Sequence, residues 1–203
     1  MPENRKLAIL LSGRGSNFLA IHEAIQRGNL KAEICCVVSN VDHAPGLEKA
    51  RSLGLTAVYL SSRGMQRLDY DHLLLETLRP FGPALVCLAG FMRILTPAFL
   101  QEYGGRVLNI HPSLLPSFPG LHAQRQALEY GVKISGCTVH LVDEGVDSGP
   151  ILAQKAVEVL DQDTEDSLSA RILQQEHQTY WRAISLVLDG RMRLDGRRVL
   201  YTW

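Results

Sequence analysis

Several features that mark specialised proteins are scarce in this sequence. No apolar run approaches the roughly 20 residues of a membrane-spanning helix. The first run, 7–11, holds five residues, too few for a secretory signal core. Four cysteines are present, Cys35 and Cys36 adjacent and Cys87 and Cys137 isolated, so no pair has the gap of a zinc site. They read as small buried hydrophobes of a reducing, cytoplasmic compartment, and no metal is expected. Neither sign of charge is in excess, with 21 basic against 21 acidic residues, which argues against a nucleic-acid partner. One locally basic stretch, 191–198, reads as solvated surface. A hydrophobic content of 46% with 21% charged residues excludes wholesale disorder, and 203 residues suit a single domain able to bury its own core.

What is present is an alternation of short apolar runs and amphipathic stretches. Strands are expected over 7–11, 34–39, 56–60, 85–89 and 107–110, with helices over 18–26, 46–53, 67–78 and from Thr96-Pro97 to about 104. In the 67–78 helix the apolar positions are 68, 74, 75 and 78, and Thr96 supplies a capping hydroxyl. Such alternation predicts an α/β fold, Rossmann-like, with a mostly parallel sheet and helices on both faces. Beyond 110 the rhythm changes. Three prolines make 111–120 an ordered loop, followed by a helix over 121–130 and strands over 138–142 and 151–159. A long helix starts at Asp163, with Leu168, Ile172, Leu173, Tyr180, Ile184 and Val187 on its apolar face.

Three motifs carry candidate chemistry. Ser12-Gly13-Arg14-Gly15-Ser16-Asn17 joins the first strand to the first helix, where glycines and backbone N–H groups suit a phosphate or simply a tight turn. It lacks the dinucleotide and nucleoside-triphosphate patterns, so no nicotinamide is expected. Asn109 and His111 are two apart at a strand end and share a direction there. An amide donor beside a histidine suits an oxyanion, although satisfied polar residues of a turn would read the same. Asp147, in Asp143-Glu-Gly-Val-Asp-Ser-Gly-Pro150, could orient that histidine, relay a proton or merely form a turn. No triad nucleophile is marked, which favours direct transfer over a covalent enzyme intermediate.

Taken with Leu-Ala-Gly-Phe-Met-Arg-Ile-Leu at 88–95, Gly-Cys-Thr-Val-His at 136–140, Val-Asp-Ser-Gly-Pro-Ile-Leu at 146–152 and Gln-Glu-His at 175–177, these motifs resemble the phosphoribosylglycinamide formyltransferases. The resemblance to this folate-dependent family of purine synthesis implies the formyltransferase fold over 1–203. It also implies a phosphate-binding half over about 1–105 and a catalytic and folate-binding half over about 106–203. Asn109, His111 and Asp147 match the catalytic trio. Gly15, Ser16 and Asn17 match the substrate-phosphate loop, Glu176 the carboxylate on the ribose hydroxyls, and Met92 the glycinamide end. Arg67, Met92, Arg93, Ile94, Leu95, His140, Glu144, Gly145, Val146 and Asp147 match the folate side. From pattern alone, Met92, Ile94 and Leu95 also fit a core, His140 a satisfied interior histidine and Glu176 a solvated helix face.

The implied substrates are 5-phosphoribosylglycinamide and the cosubstrate 10-formyltetrahydrofolate, with no metal, nicotinamide, nucleic acid or membrane, in a monomer or weak homodimer. Formyltetrahydrofolate hydrolases are expected to carry an additional N-terminal domain, and methionyl-tRNA formyltransferases an additional C-terminal one. Neither is expected here. A silent folate-binding relative would lack one of the trio.

Overall fold

Five consecutive apolar residues give β1 (Lys6–Leu11) two faces to bury, and all five are buried. This computed structural model describes residues 4–202. In sequence order, β1 is followed by α1 (Ser16–Gln26), β2 (Glu33–Ser39), α2 (Pro45–Ser52), β3 (Ala57–Tyr59) and α3 (Arg67–Leu78). A short 3₁₀ turn then leads into β4 (Leu85–Leu88), α4 (Pro97–Glu102) and β5 (Val107–His111). The remaining elements are α5 (Ala123–Tyr130), β6 (Ile134–Leu141), β7 (Ile151–Glu158), α6 (Glu165–Leu188), β8 (Met192–Asp195) and β9 (Arg198–Tyr201). Seven strands form one sheet in the order β3-β2-β1-β4-β5-β6-β7. The β1–β2, β1–β4 and β2–β3 pairs are parallel, and β6–β7 is antiparallel. Among the described residues no helix is long and apolar enough to cross a membrane.

The chain divides into two compact units, one ending at Leu108 and the other starting at Asn109. In the first, β1 lies between β2 and β4, so the chain leaves β1 toward one side and later returns on the other. The segments after β1 and after β4 therefore border a topological switch point, where open α/β sheets hold ligands. They are joined there, because Ser12 N–H donates to the Gly90 carbonyl at 2.9 Å.

Three expectations for this unit change. Leu68 is exposed, while Tyr70 and Asp71 join Leu74 and Leu78 on the buried side of α3. Asp71 is buried because it is used: its carboxylate accepts the Thr96 N–H at 2.6 Å and the Thr96 hydroxyl at 2.7 Å. Thr96 does occupy the N-cap position of α4, but its hydroxyl makes no capping bond. Cys35 is only half-buried, at the register shift between β1 and β2, and its thiol donates to the Leu7 carbonyl at 3.2 Å.

In the second unit β6 begins four residues before the expected 138, because β7 pairs with it from Ile134 onward. The long helix is capped by Thr164, whose side chain exchanges bonds with Ser167, and not by Asp163. Asp163 instead accepts from Ser167 and Arg171. The 191–198 stretch contributes to the β8–β9 hairpin, and its arginines are exposed as expected of solvated surface.

Candidate active site

The loop after β1 is held through its backbone. Gly15 is the left-handed N-cap of α1, with φ 71°. A β-carbon there would stand 2.9 Å from the Gly46 Cα at the start of α2, so both the dihedral and the space demand glycine. Ser16 and Asn17 open the helix, with Asn17 buried. The Ser12 hydroxyl donates to Asn40 Oδ1 at 2.6 Å and accepts the Met92 N–H at 2.8 Å. One side chain thus links the loop to the segment after β4. In that segment Met92 and Ile94 are 65% and 44% exposed, whereas Leu95 is buried. The Arg93 guanidinium lies 4.4 Å from the Tyr70 ring centroid, a cation–π distance, and its buried Nε has no hydrogen-bond partner. Arg67 is exposed in the first turn of α3.

The second unit gathers Asn109, His111, His140 and Asp147. Asn109 and His111 come from the end of β5, His140 from β6, and Asp147 from the loop before β7. Asp147 is the hub. It lies 3.2 Å from His111 Nδ1 and 3.5 Å from His140 Nε2, and accepts from Asn109 Nδ2 at 3.3 Å and from Gly120 N–H at 2.8 Å. Burial alone would raise its pKa, but the His140 contact, the Gly120 N–H and the nearby histidine charges hold it below the ordinary carboxylate value. His111 Nε2 is 2.8 Å from the Phe118 carbonyl, so both ring nitrogens face acceptors. Burial nevertheless dominates and keeps the His111 pKa below 6.5, against the raising pull of Phe118 and Asp147. His140 Nδ1 faces the Leu141 carbonyl at 2.9 Å, and its Nε2 lies 3.1 Å from Asn109 Nδ2. His140 is therefore bonded into the cluster and is more than a satisfied interior residue.

Two loops support these side chains. In the proline loop, the Thr138 hydroxyl donates to Ser113 O at 2.7 Å and accepts the Leu115 N–H at 3.0 Å. Gln154 donates to Leu115 O at 2.8 Å. In the Asp147 loop, Asp143 Oδ1 accepts from the Ser148 hydroxyl at 2.6 Å and from Gly145 N–H at 3.1 Å. A β-carbon on Gly149 would reach 1.8 Å from the Leu141 carbonyl, so the loop closes only with glycine there. Glu144, Gly145 and Val146 are exposed along its rim.

Glu176 is buried on α6, at 6% exposure, and so does not lie on a solvated face. Burial first and Glu176 second push the Cys137 thiol up to about 12. Among the described residues no group of three or more histidine, cysteine, aspartate or glutamate side chains could hold a metal ion. Sequence reasoning missed Ser12, Phe118, Gly120 and Asp143. Phe118 and Gly120 act through backbone atoms, which no motif displays, while Asp143 and Ser148 sat in plain view as a polar pair within a turn.

Residues 5–184 match the formyl transferase family, and the chain belongs to it. Among solved structures it is similar to glycinamide ribonucleotide transformylase 1 from Symbiobacterium toebii. The TM-score is 0.97 at 45% identity, covering 100% of this chain and 96% of that one. Phosphoribosylglycinamide formyltransferase of Escherichia coli (strain K12) is 44% identical over 95% of this chain and 95% of its own length. The trifunctional purine biosynthetic protein adenosine-3 of Drosophila melanogaster is 45% identical over 92% of this chain, which spans 14% of that longer protein. A formyltetrahydrofolate deformylase from Pseudomonas syringae shares the fold, with a TM-score of 0.92 at 24% identity.

Proposed function

We propose that this chain transfers the formyl group of 10-formyltetrahydrofolate to the amine of 5-phosphoribosylglycinamide, a step of purine synthesis. The observation that carries the reading is the part-buried Asn109–His111–Asp147 cluster in a chain that matches the Escherichia coli enzyme nearly end to end. The bound carrier supplies an activated formyl carbon, at which one C–N bond forms while another breaks. Asn109 and His111 hold the oxygen that becomes negative, the kind of donor whose loss costs on the order of 10² to 10³ in turnover. Asp147 keeps His111 oriented and favours its charged form, and the proton shed by the attacking amine ends on the departing carrier nitrogen.

Asn109 Nδ2 stands 3.3 Å from Asp147 Oδ1 and 3.1 Å from His140 Nε2, and it turns to the substrate oxygen by giving up the longer contact. His111 Nε2 exchanges the Phe118 carbonyl for the substrate oxygen in the same step.

Gly15, Ser16 and Asn17 receive the phosphate, and Glu176 receives the ribose hydroxyls. Met92 serves the glycinamide end. The folate side is formed by Arg67, Met92, Arg93, Ile94, Leu95, His140 and the rim from Glu144 to Asp147. Exposed Met92 and Ile94 leave apolar surface uncovered after β4, as does Val146 on the Asp147 loop, and each suits an aromatic carrier. Arg93, with an unpartnered Nε, fits a carboxylate or ring acceptor.

The test is an assay of the purified chain with formylfolate, with and without 5-phosphoribosylglycinamide, following formylated product and free formate. Product that requires both substrates supports the reading. Formate released at the same rate without the amine would make the chain a hydrolase.

A further inference from the structure

The β8–β9 hairpin lies beyond the residues that match the family, and no role assigned above uses it. It is closed by Thr202 N–H donating to the Arg191 carbonyl at 3.0 Å, and β9 packs against β7. Two bonds leave it. The Arg197 guanidinium donates to the Ser148 carbonyl, and the Tyr201 hydroxyl donates to the Leu152 carbonyl. Together they bracket the segment by which the chain leaves Asp147 and enters β7.

Asp147 itself has φ 50°, a left-handed conformation that a non-glycine residue keeps only where its surroundings over-determine it. Asp143 restrains the loop from within, through Gly145 and Ser148. From outside the loop, the Arg197 guanidinium restrains the next peptide through the Ser148 carbonyl. We propose that Arg197 is a positioning residue for the reaction: by fixing the Ser148 carbonyl it holds Asp147 at the distances that engage His111 and Asn109. The proposal rests on the reading of Asp147 as part of the catalytic cluster. It also gives Arg197, one of the basic residues of 191–198, a task that needs no anionic partner, since its guanidinium is committed to a carbonyl.

The experiment compares Arg197→Ala, Arg197→Lys, Asp147→Asn and the Arg197→Ala/Asp147→Asn double variant by kcat, both KM values and thermal midpoint. A guanidinium-to-carbonyl bond is a strong one, so Arg197→Ala should lower kcat by about threefold to tenfold and leave KM for 5-phosphoribosylglycinamide unchanged. Arg197→Lys should recover part of the loss, because an ammonium retains the charge but not the planar fork. In the Asp147→Asn background, Arg197→Ala should change the residual kcat by less than about twofold, since both act through one carboxylate. Unchanged kcat in Arg197→Ala, or the same proportional loss in both backgrounds, would overturn the proposal. If Asp147→Asn itself leaves turnover intact, the catalytic reading fails and this one with it. Failure of Arg197→Ala alone leaves that reading standing.

Discussion

In the loop after β1 the fixed parts are backbone atoms. Gly15 closes on Gly46, Ser12 N–H bonds Gly90 O, and α1 opens on Gly15 with no side-chain cap. In the second unit the fixed parts are side chains: an amide, two imidazoles and a carboxylate drawn from three separate stretches. The two regions suit different tasks. A phosphate keeps its charge throughout a reaction, so a rigid array of dipoles serves it. A migrating formyl group gains and loses charge, which calls for groups that can exchange protons and have shifted pKa values.

The contrast is tested most severely at Asp147. Asp147→Asn preserves shape but removes the charge facing His111, and kcat should fall on the order of 10² to 10³ with the folate-analogue Kd nearly unchanged. His111→Asn should cost a similar amount, and the double variant much less than the product of the two. A weakened folate Kd with independent losses would make Asp147 a loop former.

Gly15→Val probes the other region. The left-handed φ and the contact with Gly46 together should cost about 2–4 kcal/mol, seen as weaker 5-phosphoribosylglycinamide binding in calorimetry and a lower Tm. A folate analogue should bind almost as before. Equal losses for both ligands would remove the phosphate assignment.

Asp71→Ala should be a purely structural lesion. It strips the acceptor from two Thr96 donors and should cost about 2 kcal/mol, or roughly 4–8 °C in Tm, with KM values little changed.

The smallest effect concerns pH. The folded His111 pKa lies below 6.5, so as pH falls through that value the unfolded chain binds a proton that the folded chain resists, and stability declines. Asp147, held below its ordinary 3.8, loses its contribution only at more acid pH. Melting curves for His111→Asn should therefore fall less steeply than wild type just below pH 6.5, by under about 1 kcal/mol.

Much of this was legible in the residues. The order of strands and helices followed from apolar runs and glycine stops, because burial on two faces requires uninterrupted hydrophobic stretches. Asn109 and His111 were legible because a two-residue spacing in a strand has a fixed geometric meaning. Tertiary structure decided what spacing does not encode. Asp71 faced inward although acidic, because Thr96, 25 positions away, brings two donors to it. His140 entered the cluster because β6 presents it to Asn109, and Arg197 of the last hairpin found a carbonyl and not solvent alone. Hydrophobic periodicity is a local signal and can be read along the chain. The partner of a buried polar group is a non-local choice, made only when the chain folds and each donor must find an acceptor.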